Sequence, residues 1–241
     1  MKLAAMILLA LPVMADVDVM VDGAPRAKYA HNGTTYVEAI RGQEFALRLT
    51  NPTSERVAVA LSVDGLNTID AKHTGGWNAA KWVLDPYESV EISGWQVSDR
   101  SARRFFFTGE RSSYGAALGK TANLGVIEAI FYRERRRPIA RYDAAPAPSA
   151  SARSEKSQAA APSVAAEGAL SDEYAATGMG DRTRHDVTRV DVDLDPTPVA
   201  TARIRYEFRP QLIKLGVLDA RPSRLERREK ARGFEGYCPE P

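Results

Sequence analysis

The stretch that most constrains the fold is "EFALRLT" at 44–50, because its apolar residues recur at every second position. Phe45, Leu47 and Leu49 share one face, while Glu44, Arg48 and Thr50 share the other, as in a half-buried strand. After "NPTSE" the run "RVAVALSV" places Val57, Val59, Leu61 and Val63 on one face. The Asn-Pro turn between the two runs predicts a hairpin. "KWVLDPYESVEISGW" repeats the arrangement around Asp85-Pro86, with Val90 and Ile92 inward and Gly94 a weak or bulged point before Trp95. "RRFFFT" and "LGVIEAIFYRE" add two more strand-like runs. Short strands at regular spacing, with no long helical period between them, predict an all-β chain folded as an antiparallel β-sandwich.

Composition sets the limits of that sandwich. Residues 1–15, "MKLAAMILLALPVMA", have a positive start, an apolar run and small residues at Val13 and Ala15. That is the pattern of a cleaved export signal, and the run is shorter than the roughly 20 apolar residues a membrane span needs. The expected localisation is periplasmic or secreted. Residues 16–137 form the sandwich in this reading. Residues 138–178, rich in Ala, Pro and Ser, form a disordered linker that cannot bury enough surface to offset its ordering entropy. Residues 179–218 return as strands that complete the sandwich, with "RVDVDLD" and "ARIRYEF" pairing around "PTPVAT". Residues 219–241 are a charged tail, with a helix expected over "SRLERREKARGF". Cys238 is the single cysteine, so no internal disulfide is available; a tolerated tail residue and an intermolecular disulfide both remain open.

Several function classes are excluded or weakened. A formal net charge of +2 leaves no whole-molecule field for nucleic acid. "YGAALGKT" at 114–121 lacks the four-residue spacing of a phosphate loop, since three residues separate Gly115 from Gly119, and is read as a polar loop. Asp191, Asp193 and Asp195 lack the Gly and distal Glu of a calcium loop. They are expected instead to face Arg203, Arg205 and Arg209 as cross-strand ion pairs, with calcium a minor alternative. His31, His73 and His185 have no metal-ligand spacing, and no nucleophile motif is present, so no metal, no cofactor and no catalytic residue is assigned. The clusters "RERRRPIAR" at 133–141 and the Arg-rich tail keep a strand end solvated or touch an anionic surface weakly.

The polar break in "LSVDGLNTIDAKHTGGW" supplies the candidate site: Asp64, Asn67, Asp70, His73 and Trp77. Asp64-Gly65 is a strong turn signal, so a loop end is the plainest reading and a recognition rim the next. A carboxylate pair could also hydrolyse a glycan if held about 5–10 Å apart. Trp77, Trp82, Tyr87 and Trp95 fall within twenty residues. They are read chiefly as core, with Trp77, after Gly75-Gly76, the one expected outside.

"RVAVALSVDGLNTIDAKHT", "WVLDPYESVEISGW", "RRFFFT" and "YEFRPQLIKLGVL" together resemble a family of exported bacterial proteins. Its members share an Asn-Pro turn, a V-S-V-D-G-x-N strand end and an L-D-P-x-x-S strand start. The resemblance covers most of 37–135 and 177–218. It implies an exported all-β domain with a C-terminal strand and short helix, and carries no catalytic residues with it.

The resulting expectation is a jelly-roll or immunoglobulin-like sandwich that is exported and non-enzymatic. It acts as a structural or protein-interaction module of the cell envelope or an extracellular assembly, through a protein partner or self-assembly. A carbohydrate-binding module is the alternative, and a glycan hydrolase a weaker one.

Overall fold

The computed structural model describes residues 16–135 and 169–219. The segment expected to be an export signal, most of the expected linker, the terminal charged segment and Cys238 lie outside the described residues. The chain is an all-β sandwich of two sheets. The first contains β1 (Asp16–Val21), β2 (Ala24–Pro25), β5 (Glu44–Thr50), β9 (Ser89–Ile92), β10 (Gly94–Ser98), β11 (Ser101–Gly109) and β13 (Ala175–Arg184). The second contains β3 (Lys28–His31), β4 (Thr34–Ala39), β6 (Val57–Val63), β7 (Leu66–Asn67), β8 (Trp82–Leu84), β12 (Val126–Glu134) and β14 (Leu194–Phe208). Every pairing is antiparallel except β4 with β14, which is parallel.

Register lines the apolar positions into rows. Ile127 of β12 lies between Val63 of β6 and Ile204 of β14, Ala129 between Leu61 and Ala202, and Phe131 between Val59 and Ala200. Facing them, Phe45 stacks on Phe107 with ring centroids 4.2 Å apart, and Trp95 packs edge-on to Phe105 at 5.1 Å. Tyr206 approaches Phe107 to 5.4 Å, so the aromatic cluster ties one sheet to the other. Each such aromatic pair adds about 0.5–1.5 kcal/mol beyond its buried area.

The Asn-Pro hairpin does not form. β5 belongs to the first sheet and β6 to the second, so "NPTSE" is an arch between layers. The Asp85-Pro86 turn does the same in reverse, from β8 on β6 to β9 on β5. Period-two alternation reports which side of a strand is apolar, and two inward-facing strands satisfy it equally in one sheet or in two. The two arches are pinned to each other by Asn51, which is wholly buried. Its amide nitrogen donates to the carbonyls of Glu55 (2.7 Å) and Asp85 (2.8 Å), and its amide oxygen accepts from Thr53 N (3.1 Å). Asn51→Ala takes the donor from these part-buried carbonyls and empties a wholly buried site. It is expected to cost about 2–3 kcal/mol, read as a lower urea midpoint at unchanged slope.

Two further expectations are corrected in the C-terminal segment. "RVDVDLD" and "ARIRYEF" do not form a hairpin around "PTPVAT"; Leu194–Phe208 runs through it as one fifteen-residue strand. Pro196 and Pro198 fall in the half of β14 flanked by β12 alone, where register shifts accompany them. The acidic row therefore does not face the basic one. Arg203 pairs with Glu128, Arg209 with Glu38 (3.2 Å), and Asp193 with Arg135 (3.7 Å). These are surface pairs worth about 0–1 kcal/mol each. β13 begins at Ala175, inside the stretch read as linker, and pairs along β11 as far as Ser101↔Arg184. Its Ala-Ala-Thr-Gly start carries no large apolar residue to announce a strand. Small residues are required there, because a Cβ on Gly178 would lie 2.2 Å from the Phe106 ring. After β14, a short C-terminal helix forms over Arg209–Lys214, with Pro210 in its first turn.

Candidate binding cleft

Asp64 sits in the turn that joins β6 to β7, where Asp64 and Gly65 have φ of 53° and 72°. Positive φ at both central positions is the type I′ geometry that Asp-Gly favours. The turn points the carboxylate inward, where Asp64 is 2 % exposed. One oxygen accepts from Gly125 N (2.8 Å) and from the Tyr206 hydroxyl, and the other from Thr177 N (2.7 Å). Tyr206 and Thr177 also share a hydrogen bond of 2.6 Å between their hydroxyls. Burial pushes the carboxyl up to about 6, against the opposing pull of the hydrogen bonds from Tyr206, Thr177 and Gly125. Burial, then the Asp64 charge, drives the Tyr206 phenol well above its usual value. Asp64 thus stitches the β6–β7 turn to β13 in the opposite sheet and to β14 in its own. Glu207 repeats the device beside it, accepting from Ala175 N at 3.2 Å. The two carboxylates occupy edge amides of β13.

The remaining residues of the sequence site separate. Asn67 is 4 % exposed, and its amide closes the loop, donating to Ala80 O (2.8 Å) and accepting from Ile69 N (2.9 Å). Asp70 accepts from Lys72 N (3.1 Å), capping its own turn. His73 is exposed, and its Nδ1 lies 2.8 Å from Gly65 O. A carbonyl only accepts, so Nδ1 carries the proton there. Trp77 is 44 % exposed and packs edge-on to Tyr132 at 5.5 Å. Lys81 Nζ lies 5.2 Å from the Trp77 ring and donates to Ala79 O (3.0 Å), fixing the end of the loop. The aromatic group divides accordingly. Trp95 is core and Trp82 packs against the core, whereas Trp77 and Tyr87 face solvent.

Loop 68–81 folds back over the outer face of the second sheet and, with that face, encloses a cleft of about 540 Å³. The volume lies within the range of small-ligand sites, about 300–1,000 Å³. The floor is Ser62 of β6, Glu128 and Ile130 of β12, and Arg203 and Arg205 of β14. His73, Lys72 and Asn67 come from the loop side, so two of the five sequence candidates line it; Trp77 follows the lining residue Gly76 but does not itself line the cleft. Lys120, from the rejected phosphate-loop segment, props the loop by donating to Ala71 O at 3.0 Å. The cleft holds three fixed cations, Lys72, Arg203 and Arg205, against one carboxylate, Glu128. Glu128 is spent on Arg203. Arg205 has no ion pair within 4 Å among the described residues; the carboxylate that feels its charge is Glu207, two positions along the strand. Arg203 and Arg205 were legible as one face of a strand, but their expected acidic partners concealed them as a site.

Among the described residues no group of three or more His, Cys, Asp or Glu side chains is placed to hold a metal ion. No helix among them is long and apolar enough to cross a membrane. Arg133 and Arg135 of the basic cluster at 133–141 form surface pairs with Glu55 (3.6 Å) and Asp193 (3.7 Å). Neither a family model, nor a curated protein, nor a solved structure gives a significant match to the chain.

Proposed function

We propose that this chain is an exported, non-enzymatic interaction module of the cell envelope or an extracellular assembly, and that it recognises its partner through the cleft under loop 68–81. The observation that carries this reading is a polar, loop-framed concavity built on a paired sheet face, with one cation, Arg205, left without an ion pair among the described residues. Recognition groups held on strands keep their geometry without a partner, which lowers the ordering cost of binding. The hydrolase reading loses its acid–base pair, because both Asp64 oxygens are enclosed and hydrogen-bonded while Asp70 is outside on its own turn.

The test is a cleft-filling variant. Ser62 lies on the cleft floor and is half-buried, and Ser62→Tyr fills the space without touching the core. Affinity capture from envelope and secreted fractions, with the full chain as bait, is expected to retain a partner that Ser62→Tyr no longer retains, at an unchanged melting temperature. Equal retention by both proteins sinks the cleft as the recognition surface. Disappearance of a retained polymer on incubation sinks the non-enzymatic reading.

A further inference from the structure

We infer that the cleft takes an acidic glycan, a chain segment in which sugar hydroxyls accompany a carboxylate as in a uronic acid. This rests on the cleft being the recognition surface. The charge argument comes first. After Glu128 has paired with Arg203, Arg205 is a guanidinium on the floor with no ion pair within 4 Å among the described residues, and Lys72 stands at the margin, 3.7 Å from Asp70. A guanidinium in such a place binds a carboxylate through two parallel N–H donors.

The second argument concerns how a ligand can be held at all. β12 is flanked along its length by β6 and β14, so its backbone amides are engaged in the two ladders. A peptide laid over β12 finds no free backbone edge on that strand to extend. Recognition there must therefore run through side chains. Those available are neutral as well as cationic: the Ser62 and Thr34 hydroxyls and the Asn123 amide line the cleft. None of the three side chains has a hydrogen-bond partner among the described residues. Groups that both donate and accept, set beside Arg205, match a ligand bearing several hydroxyls and a carboxylate better than a run of acidic side chains. Trp77, which follows the lining residue Gly76, is 44 % exposed and offers a ring to the apolar side of a sugar that extends beyond the cleft.

The test is calorimetric titration of the full chain with oligogalacturonate at low salt. A neutral gluco-oligosaccharide of equal length and a poly-glutamate peptide of equal charge serve as competitors. Oligogalacturonate is expected to bind, to weaken as salt is raised, and to lose about tenfold in affinity with Arg205→Ala. Arg104→Ala, which removes the surface partner of Glu44 on the opposite sheet, is expected to leave binding unchanged. Equal or tighter binding of the neutral oligosaccharide overturns the carboxylate, and equal binding of poly-glutamate overturns the glycan. An unchanged affinity in Arg205→Ala overturns the site. If Ser62→Tyr abolishes capture of a partner while oligogalacturonate does not bind, this inference fails and the cleft survives as a recognition surface. If neither experiment responds to its variant, both readings fall.

Discussion

Asp64→Ala is expected to lower the unfolding free energy by about 3 kcal/mol at pH 5, and the melting temperature by about 10 °C. The substitution removes the acceptor for two buried backbone amides, Gly125 N and Thr177 N, and for the Tyr206 hydroxyl. Each unsatisfied buried donor costs about 1–3 kcal/mol, although Tyr206 keeps its bond to Thr177. A loss below 1 kcal/mol in urea unfolding would show that β13 does not need the stitch.

The same carboxyl carries a pH dependence of definite sign. Its value is raised from 3.8 to about 6 by burial. Between those two values the folded chain binds the proton more tightly than the unfolded chain, so stability falls as pH rises. The Asp64 contribution is full below pH ~4 and is lost as pH climbs through ~6, with a total of up to about 3 kcal/mol. Other carboxylates titrate in the same window, so the comparison must be with Asp64→Asn, which tolerates the left-handed turn position. The stability advantage of the native chain over Asp64→Asn is expected to shrink from pH 4 to pH 7.5. An advantage that stays constant, or grows, rejects the raised value.

The second large effect belongs to Gly94. Here the chain leaves β5, on which β9 lies, and joins β11 as β10. A Cβ at Gly94 would stand 2.1 Å from the Arg103 carbonyl oxygen and 2.6 Å from its carbon. That obstacle is backbone, so no side chain can swing aside, and the β10–β11 pair has to part. Gly94→Ala is therefore expected to cost about 2–4 kcal/mol and to alter the near-ultraviolet dichroism of Trp95, whose Nε1 donates to Gly178 O. Gly75→Ala is the control. Nothing lies within 4 Å of a Cβ there, and the change is expected to stay within about 0.5 kcal/mol. Equal effects of the two substitutions would mean that the corner at Gly94 is not tightly packed.

The candidate site was half legible. The exposure of Trp77 followed from its place after Gly75-Gly76, and the turn at Asp64-Gly65 from the dipeptide itself. The burial of Asp64 had no local signal, since its partners Thr177 and Tyr206 lie 113 and 142 positions away. Arg203 and Arg205 declared a solvent face through their alternation with Ile204 and Tyr206. Their place over Ser62 and beneath His73 required the register of three strands.

By itself, the sequence determined that this chain is all-β and which side of β5, β6 and the end of β14 faces inward. A strand exposes its residues to two environments in strict alternation, and that record is local. Only the tertiary structure decided the rest. It decided that the Asn-Pro and Asp-Pro segments are arches between sheets, that "AATG" is a strand, and that Asp64 is a stitch. Partner choice in a sheet depends on hydrogen bonds and volumes shared with residues far along the chain, and alternation carries no information about who the partner is.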